Sequence, residues 1–218
     1  MPTKPLNDFN DEEGEIALCT LSAINWGLIK KPEDFAKPCE LAVRGLDALL
    51  TYQDYPVKAA QNATEGRRPL GVGIINLAFW MAKNGMTYTQ PDLAMIDEFA
   101  EAWSYYLIKA SADLAEEQGA CLWSDQTKYH NGLTPNQTYK QDVDELVAHK
   151  ERMPWRELRN QLKRTGIRNS TLMALMPAET SAQISNATNG IEPPRSLVSV
   201  KQSKHGVLKQ VVPSIHLS

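Results

Sequence analysis

Apolar and polar positions alternate over residues 15–24, which predicts a strand with Ala17, Cys19 and Leu21 on one face. The period then lengthens to that of a helix over 35–52, where Phe35, Cys39, Ala42, Val43, Leu46 and Leu50 share a side. Residues 53–66 show neither period and read as a loop. A second strand is predicted over 67–75, followed by a helix through Asn84. The clearest helix covers 91–118. There Ile96, Phe99, Ala100, Trp103, Leu107, Ala110 and Leu114 form one stripe, and Gly119 is a natural stop. After a loop over 120–137, two further helices are predicted over 139–150 and 154–164. Pro154 opens the second and Gly166 closes it.

The last third changes character. Leu172, Met173, Ala174, Leu175 and Met176 form a short apolar run that suits a buried strand, and Pro177 ends it. Glu179, Thr180 and Ser181 then open a short helix, halted by Asn189-Gly190 and fenced by Pro193-Pro194. Residues 197–200 and 207–212 read as a hairpin around Lys204-His205-Gly206. Strands alternating with helices predict an α/β fold with a largely parallel sheet, and the strands are too few to close a barrel.

Composition narrows the function classes. The 218 residues suffice for one substantial domain, with 42% apolar and 22% charged positions. Net charge is −3, and Lys and Arg are spread along the chain, so no basic footprint for nucleic acid is visible. No apolar run has the length of a membrane span, and the acidic N-terminal stretch is unlike a signal peptide. Cys19, Cys39 and Cys121 lie far apart with no CxxC pair, which fits a reducing cytoplasm and argues against a disulfide scaffold or zinc site. Without a secretory signal, the sequons at Asn62, Asn136, Asn169 and Asn186 carry no weight as glycosylation sites. The four histidines, His130, His149, His205 and His216, lack metal-ligand spacing.

Two places hold candidate chemistry. A strand that ends in small hydroxyl residues at a helix start offers unpaired backbone N–H groups and hydroxyl donors to an anion. From the residues alone, a simple helix cap is the favoured reading of Thr180 and Ser181 over an anion site. Cys19 reads on its own as a half-buried strand thiol. The Gly71-Val72-Gly73 stretch after Arg67-Arg68 is weak evidence for a nucleotide loop and fits close packing at a strand.

Five stretches, in order, carry a resemblance that covers nearly all of residues 2–213. They are PTKPLNDFNDEEGEIALCTLSAINWG, GLDALLTYQDYP, GRRPLGVGIINLAFWMAKNG, RNSTLMALMPAETSAQISNATNGIEPPR and VSVKQSKHGVLKQVVP. Together they resemble the large, catalytic (alpha) subunit of class I ribonucleoside-diphosphate reductases of the bacterial and bacteriophage type. The resemblance implies part of the second half of a ten-stranded α/β barrel, an incomplete barrel over residues 1–213, with 214–218 an unrelated tail. It implies that Cys19 is one of two cysteines that reduce the substrate. It also implies that Ala178, Glu179, Thr180 and Ser181 hold the substrate diphosphate through backbone N–H groups and hydroxyls. Ala178 stands where close relatives often have serine. Neither Cys39 nor Cys121 matches the second reducing thiol, so that partner is expected from another chain packed beside it, within about 7 Å between Cα atoms.

The family's N-x-C-x-E motif, which carries the thiyl radical, sits just upstream of PTKPLND, and here Met1 takes that place. The expected picture is an oxidoreductase fragment in deoxyribonucleotide synthesis, inactive alone and acting only with its missing parts. Implied partners are the N-terminal part of the large subunit, the small subunit, a ribonucleoside diphosphate, and thioredoxin or glutaredoxin as reductant. No cofactor is implied within the chain, since the radical-generating metal centre belongs to the small subunit. A split gene, a non-catalytic interaction module and an inactive remnant remain open alternatives.

Overall fold

The computed structural model describes residues 4–8, 11–148, 150–204 and 206–214. His149, His205 and residues 215–218 of the expected tail, His216 included, lie outside them. Three parallel segments form the centre. Strand β1 (Leu21–Asn25) pairs with β2 (Gly71–Ile75) in the register Leu21 to Gly71 and Asn25 to Ile75. On its other side β2 meets the segment after Thr171, through a parallel bridge between Val72 and Met173. Helices α1 (Ala36–Tyr52) and α2 (Lys58–Arg67) connect the first two segments. Helices α3 (Leu77–Lys83), α4 (Leu93–Gln118), the single turn α5 (Pro135–Thr138) and α6 (Trp155–Thr165) connect the second and third. Helix α7 (Glu179–Ile184) follows the third segment. An antiparallel hairpin of β3 (Val198–Ser203) and β4 (Gly206–Val211) comes last. Among the described residues no barrel closes, and the arrangement is an open portion of an α/β layer.

Helices cover one side of the sheet. Helix α1 buries Cys39, Val43, Leu46 and Leu50 against α4, which turns Phe99, Trp103, Leu107 and Leu114 towards it. Asp92 caps α4 by accepting from the Met95 N–H at 3.0 Å, and Gly119, at φ 86°, ends it. Trp26, Phe35, Trp80 and Phe99 stack edge-on or tilted at centroid separations of 4.8–6.4 Å. Helix α6 begins after Pro154, ends at Gly166 (φ 73°) and buries Trp155, Leu158 and Leu162.

Several boundaries differ from the sequence expectation, each for a physical reason. Residues 15–20 are extended but lie ahead of β2, and the Ile16 N–H bonds instead to the Ala59 carbonyl of α2 at 3.0 Å. The expected loop over 53–66 contains α2, which buries Ala59, Ala60 and Ala63 and therefore has no bulky apolar stripe. Its Gly66 lets the Trp123 ring approach so closely that a Cβ would sit 2.3 Å from a ring carbon. The second strand begins at Gly71 rather than Arg67, because Arg67 ends α2 and Arg68 turns the chain at φ 42°. Among the described residues of 139–150 no α-helix forms. A 3-10 turn spans Gln141–Glu145, and Val143 and Leu146 remain exposed, so a helix there would have no apolar face to bury.

A buried polar network explains the two arginines. Arg67 donates to Glu15 at 2.6 Å and lies over the Trp123 ring at 5.0 Å. Asp47, on α1, accepts from Arg68 Nε at 2.6 Å, Asn169 Nδ2 at 2.9 Å and Arg168 Nε at 3.2 Å. Arg68 also reaches the Asp47 carbonyl and Thr51, while Arg168 donates to the carbonyls of Gln118 and Gly119 at the end of α4. Ser111 donates to Asn169 Oδ1 at 2.8 Å. Burial pushes the Asp47 carboxyl up, yet the hydrogen bonds and charge of Arg68, then Asn169 and Arg168, hold it below the usual range.

Two glycines set how closely β2 approaches its neighbours. A Cβ on Gly71 would meet the end of the Leu21 side chain at 2.5 Å, which is free to shift. On Gly73 it would meet the Ala174 carbonyl oxygen at 2.7 Å and Met176 Sδ at 2.6 Å. Gly73→Ala is therefore expected to destabilise by about 1–3 kcal/mol in chemical denaturation, and Gly71→Ala by clearly less. Asp47→Ala is expected to cost about 3–5 kcal/mol, because it leaves buried guanidinium charge unpaired. The Asp47 contribution is present above the unfolded carboxyl value of about 3.9 and is lost as pH falls through the lower folded value. The stability gap between the native chain and Asp47→Asn should accordingly narrow below about pH 4 in urea melts run across pH.

Candidate functional site

The two candidate regions flank the parallel segments, one ahead of β1 and one after the third segment. Residues 16–21 alternate as the sequence pattern predicts, with Ala17, Cys19 and Leu21 exposed and Ile16, Leu18 and Thr20 partly covered. Cys19 thus stands exposed, two residues before β1. The other thiols differ. Burial raises Cys39 far above an ordinary thiol, and its Sγ lies 4.0 Å from the Trp103 carbonyl. Burial pushes Cys121 up to about 11. Among the three, Cys19 alone is open to a reaction partner.

The other region lies at the far ends of the same strands. The third parallel segment runs into Ala178, which precedes α7. Ala178, Ala182 and Ala187 pack with Ile75 at the end of β2, against the partly buried Ala23 of β1. An apolar residue at 178 therefore helps to seat the helix on the sheet. The Ala178 N–H donates to Asn189 Oδ1 at 2.8 Å, and its carbonyl accepts the first intrahelical bond from Ala182. Glu179, Thr180 and Ser181 follow, all exposed, in the helix turn whose N–H groups have no intrahelical partner. The four loop positions are thus brought together, whereas Cys19 lies at the opposite end of the parallel strands.

Glu179 has a partner that the sequence left open. Its carboxylate accepts from Lys201 Nζ on β3 at 2.6 Å. The Lys201 hydrogen bond and charge, with a smaller contribution from Arg195, hold the Glu179 carboxyl below its usual range.

Two asparagines fix this end of the sheet: Asn76, which the sequence reading passed over, and Asn189, which it read only as a stop after the short helix. Asn76 follows β2 in the left-handed region at φ 68° and is buried. It donates to Asn25 Oδ1 at 2.9 Å, and its main-chain N–H donates to the Thr188 carbonyl at 2.8 Å. Its own Oδ1 accepts from the Thr188 N–H at 3.0 Å. The ends of β1 and β2 and the loop after α7 are joined through this one residue. Asn189, with Gly190 at φ 56°, sets the return of that loop. The signal available in sequence was an asparagine directly after a strand, a residue type that tolerates φ above zero.

Among the described residues, no group of three or more His, Cys, Asp or Glu side chains could hold a metal ion, and no helix is long and apolar enough to cross a membrane.

Residues 7–218 match the family model described as ribonucleotide reductase, barrel domain. The chain is 55% identical over 214 residues to the ribonucleoside-diphosphate reductase subunit alpha of Haemophilus influenzae, and 55% identical over 214 residues to the ribonucleoside-diphosphate reductase 1 subunit alpha of Escherichia coli K12. It is 46% identical over 216 residues to the subunit alpha of Enterobacteria phage T4. These alignments cover 98%, 98% and 97% of this chain and 28% of each relative, so the chain spans little more than a quarter of their length. The exposed thiol ahead of β1, the loop at the sheet's far end and the open layer that carries them accordingly sit within a family match along nearly the whole sequence, and the chain belongs to the ribonucleotide reductase barrel-domain family.

Proposed function

We propose that this chain forms part of the catalytic centre of a ribonucleoside-diphosphate reductase, with Cys19 as one of the two reducing thiols and residues 178–181 as the loop for the substrate diphosphate. It does so with the rest of the large subunit, the residues of the barrel portion being 1–213, and with a radical-supplying small subunit. Cys19 and a second thiol from another segment reduce the ribose. The C2′–O bond breaks, the oxygen leaves as water, C2′ gains a hydrogen, and the two sulfurs join as a disulfide. Thioredoxin or glutaredoxin restores the thiols by exchange. The cysteine that removes the 3′ hydrogen belongs to the upstream segment, and the metal centre that generates the radical belongs to the small subunit.

The observation that carries this reading is the exposure of Cys19 ahead of β1, in a chain whose other two thiols are buried. At the other end, the exposed Thr180 and Ser181 hydroxyls and the first-turn N–H groups of α7 suit an anion. Among the described residues β1 pairs only with β2, and its unpaired edge supports assembly with further strands of a barrel.

The test is to co-express the chain with the flanking large-subunit segments, add small subunit, and measure cytidine-diphosphate reduction. Cys19→Ser is expected to lower kcat by roughly 100-fold or more while leaving diphosphate affinity within about twofold. Undiminished turnover would remove Cys19 from the chemistry. Replacing both Thr180 and Ser181 with Ala is expected to raise KM by about tenfold or more, since two hydrogen bonds to a charged group are lost.

A further inference from the structure

Glu179 presents a difficulty for an anion loop. Its carboxylate belongs to the first residue of α7, where a bound polyanion would be repelled by it. Yet the carboxylate does not stand alone, because Lys201 reaches across from the β3–β4 hairpin, 22 residues on, and donates to Oε2 at 2.6 Å. Both side chains are partly exposed, at 41% for Lys201 and 55% for Glu179. Each therefore remains accessible to an arriving ligand. Val198, Val200, Gln202 and residues 206–209 of the hairpin are exposed, and this ion pair reaches from the hairpin to the head of α7.

We propose that Lys201 is a positioning residue for the diphosphate of the substrate: it holds the Glu179 carboxylate and cancels its charge beside the loop, so that the polyanion meets a neutral pair rather than a bare carboxylate. The inference rests on the reading of residues 178–181 as the diphosphate loop. It adds a residue from a different element and assigns it a role that acts through Glu179. The role is electrostatic, so two consequences follow. Loss of the lysine charge should harm binding only while Glu179 is ionised and present. The effect should also shrink with added salt, as expected for partly exposed charges.

The experiment uses the assembled large subunit and cytidine diphosphate as the probe, with Kd measured by equilibrium dialysis at low and high ionic strength. Lys201→Gln is expected to weaken binding by about three- to fivefold at low salt and by less at high salt. Adding Glu179→Gln to that variant is expected to return Kd to within about twofold of the native value, because the repulsion is gone. A double variant as weak as the single one would overturn the proposal, since it would mean that the pair acts only as a structural strap. An unchanged Kd in Lys201→Gln would overturn it as well. If the native assembly fails to bind cytidine diphosphate at all, the loop reading itself falls and the role of Lys201 falls with it. Binding by the native assembly with no response to the variants refutes the lysine role alone.

Discussion

The Asp47 carboxylate is the point on which the arrangement depends. It lies on α1, yet its oxygens are shared by Arg68, at the turn into β2, and by Arg168 and Asn169, at the approach to the third parallel segment. Through Arg168 and Asn169 the same network reaches the end and the middle of α4. A buried carboxylate would be costly alone. Here three donors converge on it, and the stretches that carry them cannot slide without leaving a charge unpaired. Apolar packing brings α1 and α4 together, but it has little orientational preference. The direction comes from the hydrogen bonds, which fix where β2 and the third segment start.

That placement separates two tasks along the strands. The Asp47 network sits where β2 and the third segment begin. Where they end, Asn76 joins β1 and β2 to the loop after α7. Between them, Gly71 and Gly73 let Leu21, Ala174 and Met176 pack closely over β2. The apolar core is thus concentrated under the helices, while the candidate groups at Cys19 and residues 179–181 are exposed.

How much of this was legible in sequence depends on the kind of force. The long amphipathic helices were, because burial of Phe99, Trp103, Leu107 and Leu114 leaves a period in the chain. The end of the third parallel segment was legible too, since Pro177 marks it, although that segment makes only the bridge between Val72 and Met173 and not the buried strand expected over 172–176. Helix α2 was not, because its buried face is made of alanines and a glycine pressed by Trp123, and small residues give little periodic contrast. The 139–150 segment showed the opposite error: helix-forming residues without a surface to pack on. For the candidate site, Cys19 and residues 178–181 were proposed from family likeness, and Asn189 was read from the Asn-Gly pair as a stop. The contacts of Asn76 and Lys201 were missed, because each acts on a partner distant in sequence and neither belongs to a local pattern.

The burial of Cys39 and Cys121 has its own consequence. Oxidants and electrophiles act on accessible thiolate, and burial both raises these two thiols and removes them from solvent. Any such damage, or any repeated cycle of sulfur chemistry, is confined to one address at the edge of the sheet. Cys39, within the helix core, and Cys121, buried in the turn after α4, are shielded from it, so oxidation at Cys19 leaves the thiols that pack the fold untouched.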